Sequence, residues 1–302
     1  MRVDAASIRR ALRNTVGDAL RRSVRRNPHK EAILFGERRW TYAQLDAAAN
    51  KVAHALLARG LAKGDRLAVY GRNSDIYVIA WLACARAGFI HVPVNPALQG
   101  EELLYILNQS GSRVLFYDTG LAPQVEAVRE RVGAEITGTL EELLQAALDP
   151  AGNGEEPEAD LDDWDVIQLL YTSGTTSAPK GAMMTHRALL SEYVSCIIEG
   201  TASRDDRALL ALPLYHSAAM HGGLMPLLLV GATSIILPAP LPEVCLPLIE
   251  RERITWMFAP PTVWINFLRH PDFDRYDLSS LRKVFYGASI MPVPVLEELR
   301  RR

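Results

Sequence analysis

The chain has 302 residues, of which 49% are hydrophobic and 23% charged, and its formal net charge is −2 at pH 7. This length suggests about two domains, and the composition excludes a disordered, collagen-like or coiled-coil chain. The near-zero charge also excludes a protein whose whole surface is built to bind nucleic acid.

The first thirty residues are strongly basic, with nine Lys or Arg side chains against two Asp. Arginines stand where a secretory signal would need an apolar core, so we expect no export signal and a cytoplasmic location. Val16, Leu20 and Val24 repeat every four residues, which predicts an amphipathic helix with a solvated basic face. A weak peripheral contact with an anionic membrane is the alternative.

Short β-rich runs then alternate with helical patterns. Strands are predicted at residues 67–70, 90–94 and 114–117, and helices at 41–59, 75–87 and 100–108. Thr41 and Gln44 have the spacing of a capping box, which marks the start of the first of these helices. Alternation of strands and helices predicts parallel pairing and a layered α/β fold.

Residues 141–165 hold ten acidic side chains and no Lys or Arg. We interpret residues 151–165 as an exposed acidic connection between a first α/β subdomain, residues 1–150, and a second, residues 166–302. The second subdomain is predicted to have strands at 167–171, 234–237, 255–259 and 283–286, and a helix that begins at His186.

No formal charge occurs between Arg207 and Glu243, a length that could span a bilayer. Several prolines and glycines interrupt this stretch, as do His216 and His221. Such residues indicate short buried elements joined by turns, so no transmembrane span is expected.

The most unusual segment is YTSGTTSAPKG, residues 171–181, which lies between a predicted strand and a predicted helix. Its glycines allow backbone N–H groups to point inward, its hydroxyls add donors, and its lysine adds a mobile positive charge suited to a polyphosphate. Pro179 should keep this loop out of regular structure as far as Gly181. The P-loop and dinucleotide-binding patterns are absent. The residues therefore predict a phosphate-binding loop.

This loop closely resembles the signature Y-T-S-G-T-T-G-x-P-K-G of the acyl-adenylate-forming superfamily, and it agrees at ten of eleven positions. Ser177 replaces the usual glycine. Further segments resemble motifs of the same superfamily in the same order: WTYAQL (40–45), KGDRLAV (63–69), GFIHVPVNP (88–96), LPLYH (212–216) and YGAS (286–289). The resemblance implies the N-terminal domain of that α/β fold, with layered β-sheets flanked by helices.

The resemblance also implies an activity of the acyl-CoA synthetase type. A carboxylic acid attacks the α-phosphate of ATP to give an acyl-adenylate and pyrophosphate, and the thiol of coenzyme A then displaces AMP. Lys180 would neutralise the departing pyrophosphate, and Thr172 would join the Mg²⁺ shell. The implied nucleotide contacts are Thr172, Ser173, Gly174, Thr175, Thr176, Lys180, Gly287, Ala288 and Ser289.

His216, within LPLYH, is implied to lie at the mouth of the acyl pocket, and a hydrogen-bonded core histidine is the alternative. Its spacing from His221 does not put both on one helical face as a metal pair. Residues 214–223 contain no acid, which disfavours an amino-acid substrate. A fatty acid is favoured, with an aryl or cinnamic-type acid as the alternative, by the apolar residues around the presumed pocket, although each could simply be core: Met220, Gly222, Gly223, Leu224, Trp256, Met257 and Phe258.

No Y-G-x-T-E segment follows Ser289, and the small C-terminal domain of the superfamily is not recognised. The sequence therefore predicts an incomplete AMP-binding N-terminal domain over residues 1–302, inactive alone but part of an acid–CoA ligase. Its expected partners are a small carboxylic acid, ATP and CoA, with no nucleic acid. The second hypothesis is a non-catalytic fragment that binds a nucleotide or an acyl group.

Overall fold

The computed structural model describes residue 8 and residues 12–172 and 178–302, which form two six-stranded sheets with helices between and outside them. The strands are β1 (Glu31–Phe35), β2 (Arg38–Thr41), β3 (Arg66–Tyr70), β4 (Ile90–Val94), β5 (Val114–Tyr117), β6 (Ile136–Thr139), β7 (Val166–Thr172), β8 (Lys180–Thr185), β9 (Arg207–Leu210), β10 (Thr233–Ile236), β11 (Trp256–Ala259) and β12 (Lys283–Tyr286). The helices are α1 (Val16–Arg26), α2 (Tyr42–Ala58), α3 (Asp75–Ala87), α4 (Gly100–Gln109), α5 (Ala122–Glu126), α6 (Leu140–Leu148), α7 (His186–Glu199), α8 (Ser217–Ala219), α9 (Met225–Val230), α10 (Pro242–Glu252), α11 (Pro261–Arg269) and α12 (Val293–Arg301). A π-helical turn, Met220–Leu224, joins α8 to α9.

Both sheets are parallel except at one edge. The first has the order β12-β11-β9-β10-β1-β2, in which only the β1–β2 pair is antiparallel among the described strands. The second has the order β6-β5-β3-β4-β7-β8, and there β7 and β8 form the antiparallel edge. Parallel strands need crossover connections, and the helices supply them.

The helices between the sheets form the largest core. Every residue of α3 is buried, and α1, α2, α6 and α7 pack around it between the inner faces of the two sheets. The outer face of the first sheet is covered by α10 and α11, and that of the second by α4. The architecture is therefore a layered α/β fold, as the sequence predicts.

Most elements lie where the sequence predicts them. The strands at 90–94, 114–117 and 283–286, the helix at 75–87 and the helix start at His186 are confirmed. Thr41 caps α2 and forms the predicted capping box with Gln44. Val16 and Leu20 are buried and Val24 is partly buried, so the amphipathic character of α1 is confirmed too.

Two expectations need correction. Residues 180–185 form strand β8, whereas the sequence predicts a loop as far as Gly181 and no strand before the helix at His186. The acidic connection is also less exposed than expected, because Pro157 is buried and Glu156 forms ion pairs with Arg13, Arg21 and Arg86. Part of the basic charge near the N-terminus therefore neutralises this connection within the same chain.

The predicted division at residues 151–165 stays a prediction, but the sheets do not follow it. Strands β7 and β8 join the sheet of β3–β6, and β1 and β2 join the sheet of β9–β12. The uncharged stretch that follows Arg207 folds into short strands and helices. Across the described part of the chain, no helix is both long enough and apolar enough to cross a bilayer.

Candidate nucleotide and acid site

The predicted phosphate-binding loop connects the two strands of a hairpin. Strands β7 and β8 pair regularly from Gln168–Met184 to Thr172–Lys180, so Thr172 and Lys180 face each other at its base. Both side chains are exposed. Four other predicted phosphate contacts, Ser173, Gly174, Thr175 and Thr176, lie outside the described residues.

Two tyrosines hold the base of the hairpin. The hydroxyl of Tyr105, on α4, donates a hydrogen bond to the carbonyl oxygen of Pro179 at 3.0 Å. The hydroxyl of Tyr171 donates to Oε1 of Gln109, also on α4. A Cβ at Gly181 would lie 3.1 Å from Cζ of Tyr171, so this glycine allows the strand to pass close to the ring. Helix α4 therefore holds both sides of the hairpin base by hydrogen bonds.

His216 lies on the loop that follows β9. It is the N-cap residue of α8, its side chain is exposed, and its ring lies 4.4 Å from that of Tyr215 between centroids. This exposure excludes the alternative of a buried core histidine. Desolvation by its surroundings lowers the pKa of His216, so the imidazole is neutral at pH 7 and has one N–H to donate.

The same loop is held by Asn73, a residue that the sequence analysis does not single out. Its Nδ2 donates to the carbonyl oxygens of Leu212 at 2.8 Å and Leu237 at 3.0 Å. Its Oδ1 accepts from the backbone N–H of Leu214 at 2.8 Å. Asn73 follows β3 in the second sheet, whereas Leu212 and Leu237 follow β9 and β10 in the first. One buried amide thus joins the carboxyl ends of both sheets, the usual place for ligands in such folds.

A small apolar cavity of about 10 Å³ lies beside this loop. Its lining residues are Leu210, Ala211, Leu212, Ala218, Ala219, Gly223, Trp256 and Phe258. A Cβ at Gly223 would lie at ordinary contact distance, 3.4 Å from Leu210 and 3.5 Å from Trp256, so a side chain larger than that of alanine at this position would enter the cavity. The indole N–H of Trp256 is buried without a hydrogen-bond partner among the described residues.

The predicted acid-binding residues take different positions around this cavity. Phe258 lines it, whereas Met220 is 1% exposed and packs in the core between the sheets. A Cβ at Gly222 would meet nothing within 4 Å. Of the seven apolar residues predicted from the sequence, Gly223, Trp256 and Phe258 are part of the described lining.

The predicted adenine segment adjoins the cavity through Phe258. A Cβ at Gly287 would lie 3.1 Å from Cε2 of Phe258, because β11 and β12 pair in parallel just before it. Ala288 has a φ of 66°, a left-handed conformation that is uncommon for alanine. Ala288 and Ser289 are exposed. The predicted adenine and acid sites therefore share one wall.

Comparison with known proteins decides the family. The family model described as "AMP-binding enzyme" matches residues 20–302. The chain belongs to this family. Every motif quoted above lies within the matched span.

Two named relatives illustrate the range of this AMP-binding family. A feruloyl-CoA synthase of Amycolatopsis sp is 38% identical over 273 residues, which cover 90% of this chain and 54% of the relative. The human mitochondrial medium-chain acyl-CoA ligase ACSF2 is 34% identical, over 95% of this chain and 52% of the relative. The chain thus spans about half the length of these relatives.

Similar solved structures confirm the fold. The inhibitor-bound N-terminal domain of FACL13 from Mycobacterium tuberculosis superimposes with a TM-score of 0.89 at 30% identity, covering 95% of this chain and 73% of that one. ATP-bound MatB from Rhodopseudomonas palustris gives a TM-score of 0.85 at 27% identity, over 96% of this chain and 58% of that one.

A buried hydrogen-bonded chain lies beneath the site of this AMP-binding protein. The hydroxyl of Tyr193 donates to Nδ1 of His221 at 2.8 Å, and Nε2 of His221 donates to Oε1 of Gln168 at 2.7 Å. Nε2 of Gln168 donates to Nδ1 of His91 at 3.1 Å. Desolvation lowers the pKa of each histidine to about 3, so both rings are neutral at pH 7. The sequence shows His221 only as a poorly spaced metal ligand, and nothing in it pairs Gln168 with a histidine.

Proposed function

We propose that this chain forms the ATP- and acid-binding part of an acid–CoA ligase. The observation that carries the proposal is the close approach of Phe258, which lines the apolar cavity, to Gly287 in the predicted adenine segment. Attack of a carboxylate on the α-phosphate needs both reactants held in contact, and a shared wall supplies that arrangement. Membership of the AMP-binding family over residues 20–302 supports the same reading.

The reaction would proceed by charge stabilisation and positioning. A carboxylate oxygen forms a bond to the α-phosphorus while the bond to the pyrophosphate oxygen breaks, and the thiol of CoA later displaces AMP. Lys180, at the exposed base of the hairpin, would neutralise charge on the departing pyrophosphate. His216 would donate a hydrogen bond to the carboxylate or the α-phosphate.

Magnesium belongs to the proposal because ATP carries it. In nucleotide sites Mg²⁺ takes most of its ligands from phosphate and water, and the protein adds few. Thr172, at the hairpin base, offers one hydroxyl oxygen, which is consistent with a protein that supplies few of the Mg²⁺ ligands. No group of three or more His, Cys, Asp or Glu side chains in the described ranges could hold a metal ion unaided.

The cavity supports an apolar acid, and a fatty acid is the first candidate. Its lining is apolar, so an unpaired charge inside it would be costly. The relative named as a medium-chain acyl-CoA ligase supports this class.

An aryl acid is the second candidate, and Trp256 favours it. The unpartnered indole N–H of this lining residue would gain a hydrogen bond from an oxygen substituent on an aromatic ring. The relative named as a feruloyl-CoA synthase supports this alternative. Competition between decanoate and a hydroxycinnamate for the purified chain would separate the two classes.

The decisive experiment has two parts. The chain is titrated with ATP and decanoate by calorimetry, and acid-dependent pyrophosphate release is measured with the chain joined to the C-terminal part of a related CoA ligase. We expect both ligands to bind and pyrophosphate release to require the acid. A folded fusion that binds both ligands without releasing pyrophosphate would contradict ligase function and favour the non-catalytic fragment.

A further inference from the structure

We propose that Gln168 and His221 are positioning residues that couple the two halves of the site, so that an acid in the cavity changes the affinity for nucleotide at the hairpin. The identity of the two ligands rests on the proposed function. The coupling itself rests on a hydrogen bond of 2.7 Å between Nε2 of His221 and Oε1 of Gln168. This bond joins an element that carries the hairpin to one that lines the cavity.

On the hairpin side, Gln168 is rigidly connected to Thr172. Strand β7 pairs with β8 without irregularity from Gln168 to Thr172, and the one register shift of this pair lies before Gln168. Alternate residues of a strand share a face, so the two side chains stand on the same face about 13 Å apart. A displacement of Gln168 is therefore carried along the strand to the Thr172–Lys180 pair.

On the cavity side, His221 lies in the π-helical turn, two residues before Gly223. Gly223 lines the cavity, and a Cβ there would already be 3.5 Å from Trp256. π-helical turns are uncommon and occur frequently at functional sites. An acid that enters the cavity contacts this turn, and the turn holds His221.

The link between the two sides is well defined. Because Oε1 of Gln168 can only accept, Nε2 of His221 carries the proton, and Nδ1 of the neutral ring accepts from the hydroxyl of Tyr193. The amide of Gln168 then donates to His91, so every bond in the chain has one direction. All four residues are buried, and a broken bond would leave a polar group unsatisfied. The four hydrogen-bonded side chains should therefore shift together, with their hydrogen bonds kept.

The surroundings of this chain are aromatic. The ring of Trp81 lies 5.4 Å from each histidine ring, and that of Tyr77 lies 5.7 Å from His91. The described contacts of the four side chains include no ion pair. A displacement caused by ligand binding can therefore pass along these hydrogen bonds to the hairpin without a change in the charge of any of the four side chains.

The test compares ATP affinity with and without a saturating acid. Calorimetry gives the dissociation constant of ATP for the full chain, alone and with decanoate, and the ratio of the two values measures coupling. We expect the ratio to differ from one by about fivefold or more in the unmodified chain. Gln168→Met keeps the side-chain size but removes the amide, and should bring the ratio to within about twofold of one.

Two control variants separate coupling from stability. His221→Gln can still donate to Gln168 and accept from Tyr193, so it should restore the ratio of the unmodified chain. Tyr42→Phe removes a buried hydrogen bond of 2.7 Å to the carbonyl oxygen of Ala232 and leaves the hydrogen bonds among Tyr193, His221, Gln168 and His91 in place. It should lower the stability and leave the ratio unchanged.

Each contrary outcome has a distinct meaning. An unchanged ratio in Gln168→Met would reduce Gln168 to a structural role and overturn the inference. Binding of both ligands to the unmodified chain with a ratio of one would overturn it while leaving the proposed function intact. Failure of either ligand to bind would refute both. If Gln168→Met does not fold, the imidazole ¹⁵N signals of His221 in the unmodified chain decide: a shift on adding decanoate supports the inference, and no shift overturns it.

Discussion

The backbone N–H of Leu214 donates a hydrogen bond of 2.8 Å to the side chain of Asn73, although the two residues belong to different sheets. Asn73 is 5% exposed and also binds the carbonyl oxygens of Leu212 and Leu237. The loop that carries His216 is therefore anchored from the opposite sheet. Its position depends on one amide.

Asn73→Leu should loosen this loop. Three hydrogen bonds of about 1 kcal/mol each are lost, so we expect the free energy of unfolding to fall by about 2–3 kcal/mol. We also expect decanoate to bind more weakly, because Leu212 lines the cavity. Asn50→Leu is the matched control, since its amide binds only the Gly154 carbonyl oxygen at 2.8 Å among the described partners. Equal acid affinity in the two variants would contradict the role of Asn73.

Gly223 should control the depth of the cavity. Gly223→Ala places a Cβ at ordinary contact distance from Leu210 and Trp256, so acid affinity should change little. Gly223→Leu fills the space and should weaken decanoate binding by about tenfold or more. Calorimetry with decanoate and then with ATP checks this, because ATP should bind both variants nearly equally. A Leu variant that keeps full acid affinity would place the acid elsewhere.

Arg38 should matter for stability far more than its neighbour Arg39. Arg38 donates to both carboxylate oxygens of Asp75, at 2.6 and 2.8 Å, and Asp75 is completely buried. Arg38→Ala leaves that carboxylate with no cationic partner among the described residues and should cost about 3–5 kcal/mol. Arg39 pairs with Glu31 on the surface, so Arg39→Ala should cost less than about 1 kcal/mol. Urea unfolding of both variants gives the difference, and similar losses would contradict the argument.

Stability should fall as the pH drops below the ordinary pKa of histidine. Desolvation lowers the pKa of His91 and His221 to about 3 and that of His186 to about 4. Below about pH 6.5 the unfolded chain binds more protons than the folded one, so the free energy of unfolding falls by about 1.4 kcal/mol per pH unit for each buried histidine. This contribution is complete above that pH and is lost as the pH falls toward the folded pKa values.

His221→Gln should reduce this slope by about 1.4 kcal/mol per pH unit, because one titrating group is removed while its hydrogen bonds can be kept. Urea unfolding between about pH 6.5 and 5 measures the slope above the range in which carboxylates titrate. His29→Gln serves as the control, since this histidine is exposed. Identical slopes in the His221 variant and the unmodified chain would show that the ring of His221 is not neutral and buried.

Local signals made most of the fold predictable. Thr41 and Gln44 mark a helix start by their own chemistry, and the β-rich run at 114–117 is a strand between helical patterns. Strand β8 gives a weaker signal, because its Met183 and Met184 lack the branched or aromatic character that favours strands. Among the described strands it pairs with β7 alone, at the edge of the sheet, so tertiary pairing rather than local preference forms it.

The site residues that lie within one sequence motif were predictable, whereas the contacts between residues far apart in the sequence were not. Lys180 and Phe258 stand at the hairpin base and in the cavity wall, and their motif or apolar context indicates them. Asn73 acts on Leu214 across 141 positions, and Gln168 meets His221 across 53. No periodicity links residues at such separations. Only the packing of the two sheets brings them together.

The central claim is that the Thr172–Lys180 hairpin binds the phosphates of ATP. Calorimetric titration of the full chain with ATP tests it most directly when Lys180→Ala is compared with Lys63→Ala, whose Nζ is engaged by Asp165 at 2.7 Å. Loss of a charge-assisted contact to phosphate should cost about 1.5–3 kcal/mol, or about tenfold to a hundredfold in affinity, in the Lys180 variant only. Unchanged ATP affinity in Lys180→Ala would contradict the account.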